Sequence, residues 1–519
     1  MVGASLAAVL AAVLVAGCTT VAPQPTPSAA VDGIRVSSVA GIAVDRPTFE
    51  PASPKVTGLV AGLSGDGLTP YVKQKLAWSS CADGDKCAKV VAPLDYANPG
   101  KGAVTLAVRL KPATASPHLG PLFVNPGGPG GSGQELVDYF DTQGLEQYDV
   151  VGWDPRGTGA STPVRCLSDE QADAFVGLDG SPDDEAERDT LVRANYAFAK
   201  ACWERNGDYL NHIGTVDTVR DLDLLRGLLG APKLNYLGYS YGTDIGAVYA
   251  ELFGGNTGRL VLDAAVNITA DESIIQAQGF DLALGNFATW CAKNACGLGT
   301  SKEAVLSSIT GFLDDLDAKP LKVGDRQLTQ TLAATGIAAA LYSGKDAWNA
   351  LAAIIQRAQR GEGQYLLGAA DSLNGRADDG HYSAMFFAFP AISCLDSKDM
   401  GVLAADAQWV KDKTKAPVFG TYFGPTYNCA LWPTRPSQRL QLHPTGASAQ
   451  PLLVVGATGD PATPYPFAQW MAQQLKSATL VTYDGEGHGG YGGKSACLDA
   501  IVVKFLTKGV VPKDGVRCT

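Results

Sequence analysis

Histidine is scarce in this chain. Only His118, His212, His381, His443 and His488 occur among 519 residues, so imidazole chemistry has few places to reside. Basic charge is also in deficit, with 41 Lys and Arg against 52 Asp and Glu, a net of −11. That balance excludes nucleic acid as a partner, because phosphates demand a basic face, and it suits a soluble acidic surface. No Cys-x-x-Cys pair occurs and no histidine clusters with a cysteine, which argues against zinc or any other metal. Past the N-terminus no run of 18 or more apolar residues appears, so no internal membrane-crossing helix is expected. With 46% apolar and 18% charged residues, the chain can bury a large core in one elaborated domain or two.

What is present centres on Leu234-Asn-Tyr-Leu-Gly-Tyr-Ser-Tyr-Gly-Thr-Asp-Ile-Gly-Ala247. An apolar, aromatic run ends in Gly238-Tyr239-Ser240-Tyr241-Gly242, and a helix-compatible stretch of small residues follows. This is the nucleophile-elbow pattern, a serine at a sharp strand-to-helix turn with glycine two positions before and two after. Bulky residues at those flanks would clash around the strained serine backbone. The N–H groups of the following helix point to where negative charge develops during acyl transfer. The five residues also occur by chance around ordinary turn serines in a chain with 60 glycines. The strand before and the helix after distinguish the two readings.

An elbow serine needs an acid and a histidine downstream, in that order. Pro451 to Gly456 reads as a buried strand, and Ala457-Thr458-Gly459-Asp460-Pro461 follows it as a loop. A helical stretch around Phe467 to Leu475 leads to a second strand, Ala478 to Tyr483, and then to Gly485-Glu486-Gly487-His488-Gly489-Gly490. Asp460 and His488 therefore stand just past the C-terminal ends of two successive strands, where open parallel sheets place their sites. His488 would take the Ser240 proton, and Asp460 would hold the imidazole in the required tautomer. Asp263, after the strand Arg259 to Leu262, competes for the orienting role but comes early for that layout.

Asn125-Pro-Gly-Gly-Pro-Gly-Gly-Ser-Gly133 directly follows the strand Pro121 to Val124. Such a loop can supply one oxyanion N–H, with Gly128 the first choice, and the residue after the nucleophile, Tyr241, supplies the other. A phosphate-binding reading of this loop fails because it does not end in Gly-Lys-Ser/Thr.

These motifs, together with Val151-Gly-Trp-Asp-Pro-Arg-Gly-Thr-Gly-Ala-Ser161, resemble the tripeptidyl aminopeptidase and proline iminopeptidase branch of the α/β-hydrolases, as found in secreted actinobacterial enzymes. Trp78 to Cys81 and Val90 to Tyr96 resemble that branch's opening strands, so the likeness spans roughly residues 70 to 519. It implies an α/β-hydrolase fold, a mostly parallel central sheet with helices on both faces and a large, mainly helical cap insertion. It also implies a serine peptidase without a cofactor. Asn125 stands where the iminopeptidases usually have histidine, which favours the tripeptidyl aminopeptidase side. Asp154 and Arg156 read as braces of the loop around the site.

The N-terminal 17 residues read as a signal segment. Leu6 to Gly17 is an apolar run of small residues, and Leu14-Val-Ala-Gly-Cys18 resembles a lipoprotein cleavage site that would leave Cys18 lipidated. No Lys or Arg precedes Leu6, so the start codon could lie upstream and a non-lipidated secretory signal is the alternative. Residues 18–68, rich in Pro, Ala, Ser, Thr and Gly, read as a tether. Residues 69–266 and 444–519 read as the two parts of the hydrolase core, and the Ala- and Leu-rich stretch 267–443 as the helical cap. Without Cys18, the 11 cysteines leave an even number, as expected of an exported protein. Their clustering suggests Cys81–Cys87, Cys166–Cys202, Cys291–Cys296, Cys394–Cys429 and Cys497–Cys518.

The expected function is that of an exported, membrane-tethered aminopeptidase, monomeric in the simplest case, acting on peptide N-termini through an acyl-enzyme on Ser240. Cap carboxylates would hold the substrate's α-ammonium group. Asp396 is a candidate, with a solvated surface carboxylate as the competing reading. Thr463 either lines the site or caps the next helix. A carboxylesterase or lipase would use the same triad, and a non-catalytic tethered binding protein would have no need of it.

Overall fold

The computed structural model describes residues 67–398, 401–434 and 437–519. The expected signal segment, Cys18 and nearly all of the tether fall outside them. Ten strands form one sheet in the order β1-β2-β3-β5-β4-β6-β7-β10-β11-β12. These are β1 (Ser79–Ser80), β2 (Lys86–Pro93), β3 (Ala103–Lys111), β4 (Pro121–Asn125), β5 (Asp149–Trp153), β6 (Leu234–Tyr239), β7 (Thr257–Asp263), β10 (Leu452–Gly459), β11 (Ala478–Glu486) and β12 (Val516–Cys518). Strands β1, β2, β3 and β5 pair antiparallel, and every pairing from β5 to β12 is parallel. The sheet is thus the mostly parallel α/β-hydrolase sheet, with successive strand ends opening on one edge.

Alternation along the strands separates two apolar layers. Leu122 and Val124 of β4 join Val261, Val455 and Val481 against Leu136 and Val137 of the helix Gly133–Tyr139 and Val502 and Phe505 of Ala496–Lys508. Phe123, Tyr236, Leu262 and Val454 face the other way, onto Leu222 and Leu225 of Thr215–Leu228, Ile245 and Val248 of Tyr241–Leu252, and Met471 of Tyr465–Gln474. Both faces are covered, which is why these strands read as near-continuous apolar runs.

Between β7 and β10 lies the helical insertion. Its helices Gln276–Lys293, Lys302–Ala318, Gln330–Tyr342, Trp348–Gln359 and Gln364–Leu373 share a core of their own, with Phe287, Ile309, Ile337, Leu351 and Leu366 at its centre. The insertion is not wholly helical. Strands β8 (Leu321–Val323) and β9 (Arg326–Leu328) form an antiparallel hairpin too short for alternation to reveal. A departure from the expected bounds lies between β5 and β6. The helices Asp169–Val176 and Glu185–Asn206 fall within the stretch read as core, yet they pack on the insertion. Phe198 meets Phe386, Phe387 and Trp432, and Asp173 accepts from Arg376 and Tyr382. The roof over the sheet therefore has two sequence sources.

Five disulfides join Cys81–Cys87, Cys166–Cys202, Cys291–Cys296, Cys394–Cys429 and Cys497–Cys518. These are the pairs that clustering suggests. No helix of the described residues is long and apolar enough to cross a membrane.

Candidate active site

Ser240 ends β6 and opens the helix Tyr241–Leu252 in a left-handed conformation, φ 54° and ψ −125°. A non-glycine residue rests there only where its surroundings hold it. Its N–H donates to the Asp263 carbonyl at 3.0 Å, and its own carbonyl accepts from the Thr243 N–H at 2.8 Å and hydroxyl at 2.6 Å. The flanking glycines leave no room for a side chain. A Cβ on Gly238 would lie 2.5 Å from the Gly242 oxygen, and one on Gly242 would lie 2.8 Å from Asn125 Oδ1.

Asp460 and His488 meet where β10 and β11 end. His488 Nδ1 lies 2.9 and 3.1 Å from the two Asp460 oxygens. Asp460 is fully covered, while the His488 side chain keeps 15% exposure, so one edge of the ring remains reachable. The carboxylate also accepts from the N–H groups of Ala462 at 2.9 Å, Thr463 at 2.8 Å and Gly489 at 3.3 Å. These donors fix its plane toward the imidazole. With Nδ1–H donated to Asp460, Nε2 carries the lone pair and can accept a proton. The Thr463 hydroxyl lies 3.4 Å from His488 Nδ1, so Thr463 flanks the Asp460–His488 pair. Among the described residues, no hydrogen bond yet links His488 Nε2 to Ser240 Oγ.

Asp263 is fully buried, with its carboxyl raised by burial and held down partly by N–H donors. It accepts from Gly490 at 3.1 Å and Tyr491 at 2.8 Å, just past His488, and not from the imidazole. Of the two competing acids, Asp460 is the histidine partner.

The loop after β4 presses onto the elbow. Asn125 Oδ1 accepts from the Gly127 N–H at 2.9 Å. A Cβ on Gly127, whose φ is +91°, would lie 2.4 Å from the Tyr239 oxygen and 3.0 Å from the Tyr241 N. Gly127 is thus the close-approach glycine, with Gly128 next along the same turn. The Tyr241 ring points away from this loop, its hydroxyl 2.5 Å from Thr215 Oγ1. The braces behave as the sequence suggests. Asp154 accepts from Ser132, Gln134 and Ala160, and fully buried Arg156 pairs with Asp221 at 2.6 Å.

Asp396 is a different case. It accepts from the Thr215 N–H at 2.8 Å, the Thr215 hydroxyl at 2.6 Å and the Ser437 hydroxyl. A carboxylate so engaged ties the insertion to the helix Thr215–Leu228, and its surroundings do not leave it free at the surface.

The insertion touches each loop of the site. Met385 lies 3.4 Å and Ala388 3.0 Å from Cβ positions on Gly128 and Gly130. Gly279 abuts the Pro461 oxygen, and Gln276 donates to the Ala462 carbonyl at 2.8 Å. Tyr342, for which sequence offers no signal, accepts from the His488 N–H at 2.8 Å.

A covered histidine–carboxylate pair and a strained serine, set at neighbouring strand ends of one sheet edge, have the groups that acyl transfer needs. The family model described as "TAP-like protein" matches residues 416–518. The chain is 33% identical over 485 residues to the serine protease Hip1 of Mycobacterium tuberculosis, covering 86% of this chain and 92% of that one. It is 37% identical over 488 residues to carboxylesterase B of the same organism, covering 88% and 92%. It is 32% identical over 457 residues to the tripeptidyl aminopeptidase of Streptomyces lividans, covering 83% of each.

Proposed function

Because the chain belongs to the tripeptidyl aminopeptidase-like family of α/β-hydrolase serine hydrolases, we propose that it is an exported aminopeptidase releasing short peptides through an acyl-enzyme on Ser240. The observation that carries the hydrolase chemistry is the Asp460–His488 hydrogen bond at 2.9 Å, at strand ends two and three places along the sheet from the strained Ser240 turn. The peptide substrate rests on the relatives named serine protease and tripeptidyl aminopeptidase.

Ser240 Oγ attacks the scissile carbonyl as His488 Nε2 takes its proton, and Asp460 stabilises the imidazolium. The N–H groups of Tyr241 and Gly128 receive the oxyanion. Collapse breaks the C–N bond and His488 returns the proton to the leaving amine. Water then attacks the acyl-enzyme by the same route, releasing the short peptide acid and restoring Ser240. Thr463 steadies the histidine edge, and the insertion sets how much of an N-terminal peptide fits. No cofactor enters the cycle.

Export rests on the apolar N-terminal segment ending at Cys18, and five disulfides suit an oxidising compartment. Mass analysis of the mature N-terminus tests it, and an unmodified, uncleaved Met1 would refute the lipid anchor.

A fluorophosphonate probe tests the catalytic assignment, with labelling expected at Ser240 and lost in Ser240→Ala. Labelling elsewhere overturns it. Tripeptidyl amides with free and blocked N-termini, compared with simple esters, test the substrate class. Free-amine peptides should be preferred by at least about tenfold, the discrimination expected when one charged contact of about 1.4 kcal/mol is lost. Indifference to blocking, with faster ester hydrolysis, would favour the carboxylesterase reading that a 37% identical relative brings in.

A further inference from the structure

We propose that Tyr342, at the end of the insertion helix Gln330–Tyr342, is a positioning residue for His488. The inference rests on the serine hydrolase reading above and extends it to a residue outside the core.

Two contacts join the pair. The His488 N–H donates to the Tyr342 carbonyl at 2.8 Å. The rings meet edge to face, with centroids 5.2 Å apart and planes at 77°. The turn that follows closes the join, because Cβ atoms on Gly344 and Gly487 would strike the Glu486 and Tyr342 oxygens at 2.5 and 2.8 Å. Substitution at either glycine would push the insertion and the histidine loop apart.

The chemistry suits a histidine that charges during turnover. The last carbonyls of a helix lack intrahelical partners, and one of them is completed here by the His488 backbone. The negative end of the helix dipole therefore faces the loop where positive charge develops. The aromatic ring excludes water from one side of the imidazole and restricts its rotation. Core groups surround the rest. Asp460 holds Nδ1, Lys494 donates to the His488 carbonyl at 2.7 Å, and Asp263 holds the two N–H groups beyond. Glu486 is occupied by Asn286 at 3.1 Å, and Lys345 and Asp346 of the insertion are exposed. Tyr342 is thus the aromatic side chain that the insertion places against His488. Its hydroxyl bonds to no described residue, so the ring and not the phenol is the working part.

The test compares Tyr342→Phe with Tyr342→Leu in the full chain. The second-order rate of Ser240 labelling by fluorophosphonate is followed from about pH 5 to 9, where a histidine base controls reactivity. The Phe variant should label within about twofold of the parent. The Leu variant should be slowed about tenfold or more, with a displaced acid limb, a loss of order seen when a catalytic group is misplaced. Equal rates and superimposable profiles for Leu and parent would overturn the proposal. No labelling of the parent would overturn the hydrolase reading and this role together. Should Leu fold poorly, Tyr342→Met takes its place in the same assay, and NMR of the parent looks for Overhauser contacts between the Tyr342 ring and the His488 imidazole, whose absence overturns the role.

Discussion

Asp263 holds Ser240 and the histidine loop at once. Its carbonyl accepts the Ser240 N–H at 3.0 Å, while its carboxylate accepts from Gly490 at 3.1 Å and Tyr491 at 2.8 Å. One fully buried residue thus spans the gap between the proposed nucleophile and its proposed base. Asp263→Ala would leave two covered N–H groups unpaired, a loss of about 1–3 kcal/mol each. The expected outcome is a lower thermal midpoint and slower labelling of Ser240. An unchanged labelling rate would show that the tie does not serve the site.

Gly127→Ala should abolish hydrolysis and impair folding. The new Cβ would lie 2.4 Å from the Tyr239 oxygen, at a φ of +91° that alanine disfavours. Gly311, in the middle of the helix Lys302–Ala318, has nothing within 4 Å of such a Cβ. Gly311→Ala should stabilise the chain by up to about 1 kcal/mol without altering rate. Thermal melts and ester turnover on the two variants check both.

Asp396→Asn separates two roles for the carboxylate. A clamp on the substrate's α-ammonium would make free-amine peptides alone suffer in the variant. A brace on Thr215 and Ser437 would lower stability and slow every substrate alike. The structure favours the second outcome, with a loss of about 1–3 kcal/mol for the charged hydrogen bonds weakened. Turnover of free and blocked peptides, read beside the melting temperature, distinguishes them.

Asp179 gives a pH dependence of stability. Burial, with Asp317 and Glu187 adding like charge, pushes its carboxyl up to about 6. A carboxyl raised in the folded state binds its proton more tightly there than in the unfolded chain. Its stabilising contribution is therefore complete below the unfolded value near 4 and is lost as pH rises through about 6. Asp179→Asn keeps an acceptor for the Ser181 N–H and removes the charge. Its melting temperature should exceed the parent's at about pH 8 and converge with it at about pH 4. Parallel curves would refute the assignment.

Local chemistry made much of the core legible. The strand–serine–helix turn, the glycine loop after β4 and the strand-end positions of Asp460 and His488 each depend on a few consecutive residues. Apolar runs gave the sheet because both of its faces are covered. The roof is less legible because its contacts are long-range. Nothing around Tyr342 in an Ala-rich helix signals that it ends against His488. Nothing around Phe198 shows that its helix packs on Phe387. Asp396 reads from sequence as a substrate-binding or surface carboxylate because Thr215 and Ser437, which occupy it, lie 181 and 41 positions away. The β8–β9 hairpin, with three residues per strand, is too short to show a period.

Three glycines sit where the insertion meets the site: Gly130 against Ala388, Gly279 against the Pro461 oxygen and Gly344 against the Glu486 oxygen. At each seam main chain or a methyl group touches with no side chain to absorb a change in spacing. A graft that replaces this insertion with a relative's would shift all three seams together. Such a chimera is expected to lose turnover before gaining a new preference, because the insertion proposed to select the substrate also holds the loops that carry Asp460 and His488.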